Sequence, residues 1–213
     1  MPLGKASKIL GILLVFGMFA GSATAFAGGS GTQSDPYEIQ TCQQLQDMNT
    51  DLSAYYELTS DVDCSGTETW NSGNGFAPVG IDFRDTFSGN FDGNGYNIDS
   101  LYIDRPGEND NGLFGYLDDS GSIGNFSVTN SNITGDSQTG IASGRSTGTV
   151  ENVMVDGKVT GGAQTGGAVG FVVKGSINNV YSYADVYGGL ESGGLVGEQY
   201  SGSISNSFST GFV

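Results

Sequence analysis

The sequence predicts an all-β chain folded as a right-handed parallel β-helix (β-solenoid) of about 27 residues per coil, with a small capping helix near its N-terminal end. Three observations carry this. A Gly-Ser/Thr-Ile/Val-x-Asn pentapeptide begins at Gly121, Gly148, Gly175 and Gly202, in steps of 27, and a fixed period of that size means stacked equivalent units. A Gly-apolar-apolar-Gly unit keeps nearly the same beat at Gly112, Gly140, Gly167 and Gly194; the second copy is degenerate and the first is one residue out of step. Within a unit, aliphatic residues recur every nine positions, as in Ile141, Val150 and Val159, or Leu195, Ile204 and Val213. Nine residues hold one short strand and a bend at about 3.3 Å per strand residue, so each coil is expected to have three sides. A helical repeat is ruled out, because Gly recurs every few positions and costs ~1 kcal/mol relative to Ala each time. Coils then pair at about 4.8 Å with their aliphatic columns inside. The right hand is that of nearly all parallel crossover connections.

Taken from the N-terminus, residues 1–25 read as a secretory signal peptide. Lys5 and Lys8 precede the apolar run Ile9 to Ala20, and Ala23-Thr24-Ala25 supplies a small-residue cleavage site. The run is short against the ~20 residues that span a bilayer, and no later segment would span, so no membrane insertion is expected after the signal is removed. Loss of Lys5 and Lys8 takes the net charge from −16 to −18, which makes nucleic acid and anionic membrane surfaces poor partners.

Residues 26–86 read as an N-terminal capping region and 87–213 as the solenoid. Thr41-Cys42-Gln43-Gln44 has the spacing of a capping box, and Leu45, Met48 and Leu52 follow at helical intervals, predicting a helix from about Cys42 to Leu52. Cys42 and Cys64 are the only cysteines. In an exported chain they are expected to form a disulfide holding this helix over the first coil, whose apolar interior needs a lid. Tyr55 to Leu58 and Asp61 to Asp63 read as short extended pieces, Ser65 to Gly75 as a polar loop, and Asp92-Gly93-Asn94-Gly95 as a tight turn.

Gly193-Gly194-Leu195-Val196-Gly197, leading into Gly202-Ser203-Ile204-Ser205-Asn206-Ser207-Phe208-Ser209-Thr210-Gly211, resembles the GLUG repeat of secreted and surface-attached bacterial and archaeal proteins. The resemblance covers about 111–213, and Phe91-Asp92-Gly93-Asn94-Gly95-Tyr96 is similar to the lead-in such proteins often carry. It implies a β-solenoid, a secreted or cell-surface location and an adhesin-like setting. It carries no catalytic residues, and such repeats also accompany unrelated enzymatic domains.

Among candidate site residues, Asn125, Asn152, Asn179 and Asn206 fall one per coil and are expected to form a structural ladder of inward-facing amides at a bend. Chemistry would need paired carboxylates or a calcium site, and the candidates are Asp61 with Asp63, and Asp82 with Asp85 beside Arg84. The chain has no His, which removes His-based triads and His-ligated zinc; no catalytic residue, metal ligand or cofactor is assigned, with calcium at those carboxylates left open. Tyr181, Tyr183, Tyr187 and Tyr200 offer either packing or a platform for sugar rings. These features predict a secreted or cell-surface, non-catalytic module for adhesion, binding or structural roles, with a surface glycan or protein as partner. The alternative is a carbohydrate-active parallel β-helix enzyme, a polysaccharide lyase or glycosidase, or a fragment of one. Uncovered Ile204, Phe208 and Val213 predict self-association through the C-terminal end of the solenoid.

Overall fold

Parallel pairing begins at the first strand of the structure, a computed structural model that describes residues 26–213. The signal peptide expected at 1–25 lies outside the described residues. β1 (Tyr37–Ile39) pairs in parallel with β2 (Tyr55–Leu58), so the 26–86 segment contributes rungs to the stack as well as a cap. The irregular lower coils continue through β3 (Val62–Asp63), β4 (Asn90–Asp92), β5 (Asn97–Asp99), β6 (Tyr102–Asp104) and β7 (Phe114–Leu117). Regular coils follow: β8 (Ser122–Thr134) with β9 (Ser143–Ser146); β10 (Thr149–Thr160) with β11 (Thr165–Gly166) and β12 (Val169–Val172); and β13 (Ser176–Ser182) with β14 (Asp185–Tyr187), β15 (Ser192–Gly193) and β16 (Val196–Gln199). β17 (Ser203–Ser205) and β18 (Phe208–Ser209) lie on the last of these. The longest sheet runs β1-β2-β4-β8-β10-β13-β17, a parallel β-solenoid.

The register follows the sequence period. Thr149 lies opposite Ser122 and Ser176, and Ser176 opposite Ser203, each step being 27 residues. The beat slips where β8 holds one residue more than β10, so that Val155 faces Val128 but Val159 faces Ile133, 26 positions away. Each coil carries more strand pieces than one per nine residues. In the β10 coil they are Thr149–Glu151, Val153–Val155, Lys158–Thr160, β11 and β12, separated by sharp bends.

Inside, buried columns run up the stack: Ile123, Val150 and Ile177; Phe126, Val153 and Val180; Ile133, Val159 and Val186. Aromatic rings replace the aliphatic columns in the lower coils, where Phe87 and Phe114 approach to 4.9 Å between centroids and Phe91 and Phe126 to 5.3 Å. The glycine that opens each pentapeptide is demanded by coil-to-coil contact. A Cβ on Gly175 (φ 94°) would lie 2.1 Å from the Gly148 carbonyl oxygen, beside the point where Ser176 N–H donates to that same carbonyl at 3.1 Å.

The cap forms as its sequence dictates. α1 (Cys42–Asp47) starts at Thr41, whose side chain accepts from the Gln44 backbone while the Gln44 side chain accepts from Thr41, a complete capping box. The helix then tightens into a 3₁₀ turn over Met48–Thr50 rather than continuing to Leu52. Leu45 and Met48 of the helical segment are buried in the same core cluster as Ile39 of β1. Two side chains fasten the helical segment to the following loop: Gln46 Oε1 accepts from Ala77 N at 2.9 Å, and Asn49 Oδ1 accepts from Gly80 N at 3.0 Å. Cys42 and Cys64, both buried, are joined in a disulfide spanning 22 residues. At the other end, Ile204, Phe208 and Val213 are exposed.

The bridge restricts the unfolded chain and pins the lid, so the Cys42→Ala, Cys64→Ala double variant is expected to lose about 3 kcal/mol in chemical denaturation. An unchanged denaturation midpoint would show that the cap holds without it.

Candidate functional site

The most regular polar feature is the corner occupied by the asparagine column. Asn125, Asn152, Asn179 and Asn206 all adopt left-handed backbone, with φ of 59°, 54°, 57° and 53°. Asparagine is among the few non-glycine residues that visit this region readily, because its short polar side chain compensates locally. The bend therefore selects the residue type, and the side chains face outward: Asn152 and Asn206 are exposed and the other two half-buried, not inward as the pattern suggested. The backbone turns its carbonyls and N–H groups into the ladders on either side, which leaves the amide at the outer edge of the corner.

These amides form a directed chain. Asn179 Nδ2 donates to Asn152 Oδ1 at 2.8 Å, Asn152 Nδ2 to Asn125 Oδ1 at 2.8 Å, and Asn125 Nδ2 to the Asp92 carboxylate at 3.1 Å. The Tyr181 hydroxyl donates to Asn179 Oδ1 at the upper end. Asn206 leaves the line and donates to Asn178 Oδ1 at 2.9 Å. Every donor points towards the anion, the arrangement in which successive hydrogen bonds polarise one another. Beside the chain lies an open groove of about 530 Å³, edged by Asp92, Asn125, Asn152 and Asn179, floored by Phe126 and Val153, and walled by Ser127, Met154 and Tyr181.

A second polar corner, which the sequence did not reveal, lies on another edge. Asp110, Gln138, Gln164 and Glu191 are also left-handed, with φ between 55° and 58°. Each is followed by a polar residue that turns back on the chain. Asn111 donates to Glu108 O, Thr139 to Asp136 O, Thr165 to Gly162 O and Ser192 to Gly189 O, at 2.5 to 3.1 Å. Gln138 donates to Gln164, and Gln164 to Glu198, a second amide run that ends on a carboxylate. Asp110 is buried, and Arg145 Nε reaches its Oδ1 at 2.9 Å while lying 5.1 Å over the Tyr116 ring. Burial pushes the Asp110 carboxyl up, outweighing the nearby Arg145 guanidinium, and Asp82 adds to the rise.

Of the four candidate carboxylates, Asp63 and Asp82 close local turns and Asp61 reaches a neighbouring rung. Asp61 Oδ1 accepts from Asn97 N at 2.9 Å, and Asp63 Oδ1 from Ser65 N at 2.8 Å, which holds the Asp63 carboxyl below its usual range. Asp82 Oδ1 closes its own turn onto Arg84 N and Asp85 N, and the Arg84 guanidinium lies 5.0 Å over the Phe83 ring. The structure brings Asp82 to Asp85 across that turn but does not bring either to Asp61 or Asp63. Asp85 instead lines a groove of about 560 Å³ together with Asp47, Asn49 and Thr50 of the helical segment. Among the described residues no group of three or more His, Cys, Asp or Glu is placed to hold a metal ion, and no helix is long and apolar enough to cross a membrane. Asp99, in register with Asp63, accepts from Asn130, Thr129 and Ser100, and these bonds hold its carboxyl below the usual range.

No family model matches the chain. It is 42% identical over 158 residues to halomucin of Haloquadratum walsbyi, a match covering 70% of this chain and 2% of halomucin. It is 34% identical over 139 residues to a protein of Evansella cellulosilytica described as a Gly-rich membrane protein, covering 63% of this chain and 16% of that one. The chain thus spans a small part of the relatives it matches. Among solved structures, a Bacteroides ovatus protein described as an immunoglobulin A1 protease aligns with a TM-score of 0.49 at 20% identity, over 87% of this chain and 78% of that one.

Two variants of Asn152 separate the forces at the first corner. Asn152→Gly keeps access to the left-handed bend and removes the amide, so it is expected to cost about 1 kcal/mol through the lost ladder bonds. Asn152→Ala adds about 1–2 kcal/mol of backbone strain to that loss. Equal melting temperatures for the two would contradict a backbone role for asparagine.

The carboxylates differ in the sign of their pH dependence. Asp99, with a lowered folded pKa, stabilises above the ordinary value of about 3.9, and that contribution is lost as pH falls through the folded value. Asp99→Asn is therefore expected to flatten the acid limb of the melting profile. Asp110 has the opposite sign: its contribution is fully present below the ordinary value and is lost as pH rises through the raised folded value. The wild type's margin over Asp110→Asn is expected to be larger at pH 4 than at pH 7, and a margin that grows with pH would contradict the assigned burial.

Proposed function

We propose that the chain is a non-catalytic module of a secreted or cell-surface protein, built from GLUG-type repeats, and that it serves adhesion or binding. The observation that carries this is the use made of its polar side chains. The recurring amides are tied to neighbouring rungs and Asp61, Asp63 and Asp82 to backbone N–H groups, and what they leave is an amide-edged groove with an apolar floor across several coils instead of a pair of facing acids. The names of the two relatives, halomucin and a Gly-rich membrane protein, support a surface setting, and the strongly acidic balance suits a well-solvated exterior.

Labelling of intact source cells with a membrane-impermeant amine reagent, followed by fractionation, tests the setting. The chain is expected in the medium or the labelled surface fraction, modified at exposed lysines such as Lys174. Recovery only from the unlabelled cytoplasm would overturn it.

A further inference from the structure

Resting on that surface-binding function, we propose that the groove beside the asparagine column binds a neutral polysaccharide laid along the solenoid axis. The first support is the hydrogen-bond inventory. A carboxamide has two N–H donors and an oxygen with two lone pairs. In the ladder, Asn152 uses one donor towards Asn125 and one lone pair towards Asn179, so one N–H and one lone pair remain at a position open to water. The same remainder recurs at Asn125, one rung below. Rungs repeat at about 4.8 Å, comparable with the advance of a pyranose ring in an extended polysaccharide. A ligand that repeats hydroxyl groups along a chain can meet such a row; a compact ligand would use one rung of it.

The second support is the opposite wall. Met154 and Tyr181 stand one above the other in register, both half-buried, over the buried Val153 floor. The Tyr181 ring is fixed at both ends of its freedom: its hydroxyl donates to Asn179 and its ring packs 4.8 Å from Phe208. An aromatic ring held in place before binding loses little conformational freedom on receiving the apolar face of a sugar.

Charge then selects among polysaccharides. Asp92 is the one charged residue lining the groove, in a chain of net charge −16, so uronate or sulfate groups would be repelled while neutral hydroxyls can donate to a carboxylate. An extended peptide adding as a further strand is disfavoured here, because β10 at the groove is already paired on both edges, with β8 and β13.

The experiment is an NMR titration of the ¹⁵N-labelled protein with cellohexaose, xylohexaose and mannohexaose, and with hexagalacturonate as the anionic control. At least one neutral hexasaccharide is expected to shift the side-chain amides of Asn125, Asn152 and Asn179, and hexagalacturonate to leave them unmoved. Affinity is expected to fall by about tenfold or more in Tyr181→Ala. Met154→Lys, a change outside the core, is expected to do the same with an unchanged melting temperature, which separates loss of binding from loss of fold. The proposal is overturned if none of the three neutral sugars shifts these amides, if shifts map to another face, if hexagalacturonate binds as well, or if folded Met154→Lys binds like the wild type. A surface-located chain blind to all three sugars overturns this proposal alone; a cytoplasmic chain that binds one overturns the surface assignment alone.

Discussion

Coil-to-coil registry is the constraint on which the rest of this molecule depends. Parallel rungs about 4.8 Å apart leave no freedom for one coil to turn where its neighbour runs straight, so each bend must recur at the same place on every coil. At the first corner the backbone meets that demand with four left-handed asparagines, and before each following strand with a glycine whose missing Cβ makes room for the carbonyl below. The stacking also explains the buried columns. Once the corners are fixed, Val150 can only sit between Ile123 and Ile177, and any slip of one residue would turn each strand's apolar side out to water.

The polar corners do more than tolerate the bend. Each outward amide that bonds the next coil converts a local conformational choice into a link along the axis, and the Asn179-Asn152-Asn125 run ends on the Asp92 carboxylate where its donors are best received. The Gln138-Gln164 run ends on Glu198 on the opposite side in chain order. A surface ladder of this kind remains accessible on one flank, so the same side chains that hold the coils in register can present a repeating pattern to a ligand. In the proposed sugar complex, stability and recognition would draw on different halves of the same amide.

How much of this was legible in the sequence depended on whether a physical role selects one residue type or several. The asparagine corner was visible because left-handed geometry with an axial hydrogen bond favours a single residue, so Asn125, Asn152, Asn179 and Asn206 recur unchanged. Their outward direction was not visible, because period alone does not distinguish a buried amide from one at the rim of a bend. The second corner leaves no such signature in the sequence, because Asp110, Gln138, Gln164 and Glu191 perform one backbone role with three residue types, and because their spacing drifts through 28, 26 and 27. The Asn111, Thr139, Thr165 and Ser192 column was hidden for the same reason: any short side chain with a donor can reach the carbonyl three residues back. The capping box and the cysteine pair were legible because each is a local or exclusive pattern, whereas the parallel pairing of β1 with β2 joins segments with no repeat between them.

The structure depends on bends that coincide from coil to coil, and backbone NMR of uniformly labelled protein measures this most directly. It predicts carbon shifts of left-handed backbone at Asn125, Asn152, Asn179 and Asn206, together with interstrand contacts linking Val150 to Ile177 and Ile177 to Ile204. Extended-strand shifts at those asparagines, or contacts that pair Val150 with a residue one position to either side of Ile177, would contradict it.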